Sequence, residues 1–200
     1  MFVSKVIVVW QVVIPILLIL VLCVVARSVY VMRRLTWIMD QYTKGNYQKI
    51  LNQAVKQKKQ YENMLFLKNN NIKNTYDSLS VVIATSALAN HNDEIFLKHI
   101  NDICYENNLY FKYMWLSVYH LLQSNFDEAD ESYRMMCQFP QASAVSRLAV
   151  EGLLAYQKGS IEEAQNKLNQ WLSADDPQNP VLKEIIKQTV ENIEAGSSLE

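Results

Sequence analysis

The chain has 200 residues, with four glycines, four prolines and a formal net charge of −1 at pH 7. So few glycines and prolines argue against a β-sandwich, a glycine-rich phosphate-binding fold and a long disordered linker, and the remaining composition favours helices. The small net charge hides an asymmetry, because residues 1–74 carry 11 basic and 2 acidic side chains whereas residues 75–200 carry 8 and 18. An acidic second part does not favour a nucleic acid as the partner.

The first predicted element is a membrane-spanning helix from Val6 to Ala26, which contains no charged residue. Its 21 residues, at about 1.5 Å each, span roughly 30 Å, the thickness of the hydrocarbon core of a bilayer. The run is longer than the apolar stretch of a cleaved signal peptide, and Leu22 before Cys23 does not suit lipoprotein cleavage. Gln11 and Pro15 lie inside the run, where a proline usually makes a mild kink.

Basic residues lie mainly on the C-terminal side of this helix. One lysine, Lys5, precedes it, and four basic side chains follow it: Arg27, Arg33, Arg34 and Lys44. Because positively charged flanks stay in the cytoplasm, we expect a single-pass protein of the cell membrane with its N-terminus outside and residues 27–200 in the cytoplasm. The reverse topology stays open as an alternative.

The segment after the spanning helix is typical of a membrane interface. Tyr30 and Trp37 are residue types that concentrate at the boundary between water and lipid. Arg27, Arg33 and Arg34 could pair with anionic lipid headgroups, at about 1 kcal/mol each. The simpler interpretation is an ordinary flank whose arginines only fix the topology.

The sequence predicts a chain of four parts. Residues 1–34 form the anchor and its basic flank, 35–75 a linker with a connector helix, 76–195 a helical region, and 196–200 a frayed tail. Gly45, Asn46 and Tyr47 open the connector helix. Its apolar face is predicted at Ile50, Leu51, Ala54 and Val55, and its solvated face at Lys56, Gln57, Lys58, Lys59 and Gln60.

The helical region contains an internal repeat. The segment Asn125–Tyr133 reappears as Ser160–Leu168, so that Ala129 and Ala164 lie 35 residues apart. A weaker copy, Asn92–Ile95, ends 34 residues before Ala129. A period of 34–35 residues with two helices in each unit resembles the tetratricopeptide repeat, whose pattern is W-x2-L-G-x2-Y in the first helix and A-x3-F in the second, followed by a proline.

Two units carry this resemblance. The first offers Tyr113, Leu116, Ser117, His120, Ala129, Tyr133 and Pro140, and the second offers Leu148, Glu151, Gly152, Ala155, Ala164, Leu168 and Pro177. Ser117 stands where the family has glycine, and Glu151 where it has leucine. The resemblance implies an all-α fold, a short α-solenoid of antiparallel helix pairs whose first helices lie near residues 76–90, 110–123 and 142–157. Independently, Gly159 and the pair Ser124–Asn125 suit a tight turn between two such helices.

A last helix is predicted after residue 179. Asn179 is a natural N-cap and Pro180 a natural first residue, while Asp176 and Pro177 end the helix before it. Its apolar residues fall on one stripe: Val181, Leu182, Ile185, Ile186, Val190 and Ile193. One apolar face and one wet face are typical of a capping helix at the end of a repeat stack.

The sequence carries no motif of an enzyme or of a cofactor site. Neither a phosphate-binding glycine loop nor a nucleophile elbow occurs. His91 and His99 do not form HExxH, and Cys104 and Cys137 are far apart, without a CxxC pair. We therefore expect no catalytic residue, no metal and no cofactor, and two buried, inert thiols.

The prediction for function is a membrane-anchored protein-interaction module that holds a protein partner through the groove of its first helices. Groove residues are expected among the exposed members of this set: Tyr110, Lys112, Tyr113, Ser117, His120, Arg147, Glu151 and Tyr156. One alternative is a structural or assembly subunit of a larger membrane complex, in which Gln11 and Pro15 contact other membrane segments. Another is an extracytoplasmic chaperone-like factor, which requires the reverse topology.

Overall fold

The computed structural model describes residues 2–174 and 179–197, and this part of the chain contains helices and no strand. The α-helices are α1 (Phe2–Thr43), α2 (Tyr47–Glu62), α3 (Asn70–Ala89), α4 (Asp93–Asn101), α5 (Leu109–Leu122), α6 (Phe126–Cys137), α7 (Ala144–Gln157), α8 (Ile161–Leu172) and α9 (Pro180–Ser197). The prediction of a predominantly α fold is confirmed. The chain divides into two compact units, Met1–Asp40 and Gln41–Glu200.

The first unit is the part of α1 up to Asp40, and the last three residues of this helix, 41–43, belong to the second unit. α1 is long and apolar enough to cross a membrane. Among the described residues the apolar part runs from Ile14 to Thr43, with a mean hydropathy of 2.5 in its most apolar window, and none of that window is buried. Pro15 lies inside the helix without ending it. Cys23 and Ala26 are exposed, as are the aliphatic side chains around them, whereas the side chains of Val6 and Gln11 lie outside the described ones. The predicted N-terminal helix is confirmed.

The basic flank of α1 continues as helix. Arg27 and Arg33 are exposed, and Trp37 keeps 36% of its surface exposed. One turn after Tyr30, Arg34 donates a hydrogen bond from Nη1 to the Tyr30 hydroxyl over 3.2 Å.

In the second unit, the same turn joins α3 to α4, α5 to α6 and α7 to α8. Its central residue has a positive φ at His91 (54°), Ser124 (59°) and Gly159 (76°). The next amide closes the turn onto the preceding helix: Asn92 N to Ala87 O at 2.9 Å, Asn125 N to His120 O at 2.8 Å, and Ser160 N to Ala155 O at 2.9 Å. This left-handed ending, which satisfies carbonyls left over at the end of a helix, sets each following helix back along the one before it.

The turn before α2 is of the same type. Gly45 has a φ of 74°, and the amide of Asn46 donates to the carbonyl of Gln41 over 3.0 Å. α2 therefore begins as α4, α6 and α8 do, and it packs against α3.

The helix bounds repeat along the chain. α5 and α7 begin and end 35 residues apart, and so do α6 and α8. The turn residues His91 and Ser124 lie 33 apart, which aligns Ala129 with Phe96 rather than with Ile95. The alignment of Ile95 at an interval of 34 was therefore wrong: the shared turn fixes the register, and Phe96 is fully buried whereas Ile95 is half-buried.

Small residues lie where the helices of a pair cross. The hydroxyl of Ser117 donates to the carbonyl of Ala129 over 2.8 Å, and both residues are fully buried. Gly152 occupies the equivalent position 35 residues later, where an added Cβ would lie 2.5 Å from Cδ2 of Leu168. Neither crossing leaves room for a larger side chain on the first helix.

The solvated face predicted for α2 was wrong for two of its five residues. Gln57 and Lys58 are 1% and 4% exposed, because they continue the buried stripe that begins at Ile50 and Ala54. A lysine can occupy such a position when an anion lies within reach of its ammonium group. Here that anion is Asp102, 2.5 Å from Nζ.

The last helix covers more than the end of the stack. Asn179 caps it as predicted, since its Oδ1 accepts from the amides of Val181 and Leu182 at 3.0 and 3.3 Å. However, α9 contacts α3 as well as α7 and α8, so an end-capping role describes only part of its position. The predicted helix end at Asp176 and Pro177 and the last residues of the predicted tail, 198–200, lie outside the described residues.

Candidate protein-binding surface

The C-terminal halves of α3, α5 and α7 face α9 and form what we call the inner surface. Two clefts, of about 470 and 230 Å³, lie between α9 and this surface. The residues of the first helices that line them are Leu88, Ala89, Val118, Leu121, Leu122, Leu153, Tyr156 and Gln157.

The inner surface uses the same positions of each helix pair. Val118, Leu121 and Leu122 of α5 are followed after 35 residues by Leu153, Tyr156 and Gln157 of α7. In α3, Leu88 and Ala89 precede Leu121 and Leu122 by 33 residues, the interval that the shared turn defines. Because equivalent residues face α9 in all three helices, one repeated side of the helix pairs builds the surface.

The occupant of the inner surface is an amphipathic helix. α9 buries five aliphatic side chains: Val181, Leu182, Ile186, Val190 and Ile193. Thr189 is buried beside them and Ile185 is half-buried, which alters the predicted stripe slightly. Fully burying one aliphatic side chain is worth about 1.5–3 kcal/mol, so this stripe is a substantial part of what holds α9 in place.

A chain of buried and partly buried hydrogen bonds fixes the start of α9, and we call it the Tyr42 latch. The Thr85 hydroxyl donates to the carbonyl of Val81 over 2.8 Å, and the Tyr42 hydroxyl lies 2.6 Å from Thr85 Oγ1. Asn179 donates from Nδ2 to the Tyr42 hydroxyl over 2.7 Å. Since Thr85 has used its only proton on Val81, Tyr42 donates to Thr85 and accepts from Asn179.

Aromatic residues extend the same side of α5 towards its N-terminus, beyond the residues that line the two clefts. Phe111 lies seven residues, or about two turns, before Val118 and so shares its side of the helix. The rings of Tyr110 and Phe111 are 4.0 Å apart, and both side chains are half-buried. This part of α5 presents aromatic surface of the kind that is enriched in protein interfaces.

Two of the eight predicted groove residues point elsewhere. Ser117 is fully buried and bonds to α6, so its inclusion among accessible residues was wrong. Glu151 accepts hydrogen bonds from the Tyr133 hydroxyl and, over 2.5 Å, from Lys167 Nζ. Burial works against ionisation of Glu151, but the bonds from Lys167 and Tyr133 outweigh it and lower the pKa of the carboxyl. Glu151 therefore joins helices inside the fold.

The other six predicted groove residues do not share one surface. Tyr156 belongs to the inner surface and Tyr110 lies beside its N-terminal extension. Lys112 and Arg147 occupy equivalent positions 35 residues apart, are half-buried, and lie on another side of their helices from Val118 and Leu153. The remaining two are also half-buried: Tyr113, which stacks on Phe139 with ring centroids 5.8 Å apart, and His120, whose ring contacts Tyr119.

Sequence reasoning therefore missed most of the inner surface. The predicted groove residues did not include Val118, Leu121, Leu122 and Leu153. A signal for them was present, because apolar residues recur after 35 positions at Val118 and Leu153 and at Leu121 and Tyr156.

A second polar centre lies between α2, α3 and α4. The Lys58 ammonium is 2.9 Å from His99 Nδ1, 2.5 Å from Asp102 Oδ2 and 4.6 Å from the centre of the Tyr76 ring. Burial lowers the pKa of Lys58, although Asp102 opposes the shift. Burial and the neighbouring Lys58 lower the pKa of His99 to about 4. The centre is therefore a lysine–aspartate pair with a neutral histidine beside it.

Asp77 organises the chain that follows α4. Its carboxylate accepts from the amides of Cys104 and Tyr105 at 3.1 and 2.9 Å and from Asn108 Nδ2 at 3.1 Å. The prediction of a buried Cys104 was wrong, because this residue is exposed, and Cys137 is half-buried. Partial burial and the adjacent Asp77 raise the pKa of the Cys104 thiol, which disfavours the reactive thiolate.

Within the described residues, no group of three or more His, Cys, Asp and Glu side chains could hold a metal ion. No protein-family model matches the chain, and the comparisons with curated proteins and with solved structures found no match. The interpretation of the inner surface thus depends on its own geometry.

Proposed function

We propose that this chain is a membrane-anchored protein-interaction module. In this proposal the helix pairs form a short solenoid that resembles tetratricopeptide repeats, and α1 holds it at the cell membrane. The observation that carries the proposal is α9, which contacts α3, α7 and α8 and borders clefts lined by equivalent positions of three successive first helices. A surface that accommodates one amphipathic helix has the shape and the apolar character that a partner protein needs for the same mode of binding.

The membrane part of the proposal is supported by α1. Its exposed aliphatic residues from Ile14 to Val25 leave an apolar cylinder that a bilayer would cover. The arginines that follow it favour a cytoplasmic second unit. Fusions of a fluorescent protein and of alkaline phosphatase after Glu200 test this orientation in intact cells. Fluorescence without phosphatase activity supports it, and the reverse result favours an extracytoplasmic chaperone-like factor.

The binding part is tested by photocrosslinking in cells that produce the full chain. A benzoylphenylalanine at Phe111 is the test position, since this side chain is accessible and shares the side of α5 that faces α9. The matched control is the same residue at Glu131, which is exposed on α6. We expect a protein adduct of defined mass from Phe111 and none from Glu131.

A third position separates this proposal from its alternative. If the chain is instead a subunit of a larger membrane complex, benzoylphenylalanine at the exposed Leu18 of α1 should give the adduct while Phe111 gives none. That result would contradict the interaction module. Charge reversal of Lys112 and Arg147 then tests whether the neighbouring side of the helices also contributes to binding of the partner. Such a contribution would appear as a loss of the adduct from Phe111.

A further inference from the structure

We propose that α9 is an exchangeable occupant of the inner surface, and that the partner binds there as an amphipathic helix that replaces it. This inference rests on the proposed function and names both the chemistry of the partner and the element that regulates its access. The partner helix would carry branched aliphatic residues three or four positions apart over about three turns, as α9 does.

One stripe of α9 is apolar and buried. Leu182, Ile186, Val190 and Ile193 follow one another at intervals of four, four and three residues, and all are buried. The rest of the helix surface is polar and exposed at Lys183, Lys187 and Glu191, while the exposed Glu184 and Gln188 line the clefts towards the first helices. Recognition therefore comes from the spacing of aliphatic residues, which a helix of another protein can reproduce.

The second step is that α9 fills the inner surface incompletely. The cleft of about 470 Å³ separates α9 from the ends of α3 and α5, and the cleft of about 230 Å³ separates it from α5 and α7. Leu122 lines both clefts and keeps 49% of its surface exposed. Ile185 lines both as well and is only half-buried. A better-fitting helix would gain the contacts that α9 leaves unmade.

The third step is that one localised device holds the N-terminus of α9. The Tyr42 latch joins Asn179 to a hydroxyl of α1 and through it to α3, while the same Asn179 caps α9. Loss of one hydrogen bond of this kind and of one helix cap weakens a helix by about 1 kcal/mol each. Because α9 competes as an attached segment, any weakening of the latch raises the apparent affinity for a helix added from outside.

Exchange is tested on the full chain in detergent micelles with a protease site placed at residues 175–178. The probe is a fluorescent peptide with the sequence of residues 179–197, and the matched control peptide carries Ile186→Asp and Val190→Asp. We expect the probe to bind after cleavage, to be competed by its unlabelled form, and to bind the uncleaved chain at least tenfold more weakly. Cleaved chain that takes up no probe within a day, or that binds both peptides equally, would overturn the inference.

The latch is tested on uncleaved chain. Asn179→Ala is expected to strengthen probe binding by about thirtyfold, and Tyr42→Phe, which leaves the cap of α9 intact, by a few-fold. Tyr61→Phe is the matched control, because the hydroxyl of this half-buried tyrosine has no hydrogen-bond partner among the described residues. Helical circular dichroism shows whether each variant is folded. Folded Asn179→Ala and Tyr42→Phe chains that bind the probe no better than Tyr61→Phe would contradict a latch.

Failure of this inference differs from failure of the proposed function. An adduct from Phe111 in cells, together with an α9 that never exchanges, would mean that the partner uses only the uncovered half of α5. No adduct from Phe111, together with normal exchange of the peptide, would mean that the surface serves α9 alone and that the proposed function is wrong.

Discussion

The region α2–α4 and the region α5–α8 use the same turn but are held together in different ways. In the first, the ammonium group of Lys58 is buried against Asp102 and His99, and Asp77 binds the chain after α4. In the second, Ser117 and Gly152 let the helices cross closely. The turn fixes how two helices meet, whereas the residues along them decide whether charge or close packing joins them.

This difference makes the two regions sensitive to different changes. A buried charged centre responds to pH, because protonation alters the charges inside it. A close crossing of helices responds to the volume of a side chain, because packed interiors have little spare room. The four predictions below separate the two regions, from the largest expected effect to the smallest.

Substitution Gly152→Val is expected to have the largest effect. Its Cβ would lie 2.5 Å from Cδ2 of the fully buried Leu168, so the Leu168 side chain or the helices must shift. We expect a loss of about 3 kcal/mol in the free energy of unfolding, measured by denaturant titration in mild detergent. Gly196→Val is the control, since a Cβ there meets no atom within 4 Å. Equal losses for both would contradict the close crossing, and Leu168→Ala should restore part of the stability of Gly152→Val.

Acidification should weaken the first region. The pKa of His99 is about 4 in the folded chain and about 6.5 in an unfolded one, so the unfolded chain binds more protons between these values. The contribution of neutral His99 to the free energy of unfolding is therefore present above about pH 6.5 and is lost as the pH drops towards 4. At pH 5 the loss is about 2 kcal/mol. Denaturant titrations at pH 7.5 and pH 5 measure the loss, and amide hydrogen exchange should locate it in α2–α4.

The variant His99→Gln tests the source of this effect. It removes the titrating group, and the difference between the two pH values should shrink by about the same 2 kcal/mol. His91→Asn is the control, because His91 is exposed and asparagine tolerates its positive φ of 54°. A pH dependence that is unchanged in His99→Gln would show that other groups cause it.

Substitution Ser117→Ala should cost about 1 kcal/mol, because it removes a buried hydrogen bond to the carbonyl of Ala129 while keeping the crossing small. The same titration measures this loss. Ser78→Ala, at an exposed position of α3, is expected to change the free energy of unfolding by much less. A Ser117→Ala variant with an unchanged free energy of unfolding would mean that the small size of the residue, without the hydroxyl, maintains this crossing.

The smallest effect is expected for Glu151→Gln. Both partners of the ion pair are partly exposed, with 29% of the Glu151 side chain and 25% of that of Lys167 accessible, so solvent screens it. We expect a loss of about 0.5 kcal/mol at low salt that disappears in about 1 M NaCl, since salt screens such pairs. If the loss persists at high salt, its source is the hydrogen bond from Tyr133 and not the ion pair with Lys167.

Local signals in the sequence predicted much of the fold. The turn residues Ser124 and Gly159 and the cap at Asn179 are short-range features, and the structure contains all three. The interval of 35 residues was also readable, because Ala129 and Ala164 mark it directly.

Long-range placement could not be predicted in the same way. The stripe of α9 shows that one side is buried but not what buries it, and α9 contacts α3, about 90 residues earlier in the chain. Lys58 was read as solvated because its partner Asp102 is 44 residues away. The predicted groove residues followed polarity and aromatic character, whereas the inner surface is defined by aliphatic residues such as Val118 and Leu153.

The position of α9 has a consequence for the order of events during synthesis. The ribosome makes α3, α5 and α7 before it makes the helix that covers them, so the nascent chain exposes Leu88, Leu121 and Leu153 while α9 does not yet exist. In that interval the partner helix proposed above would meet no attached competitor, and association during translation would be faster than association with the finished protein. The same interval leaves an apolar surface open to aggregation, which a chaperone at the ribosome would have to shield.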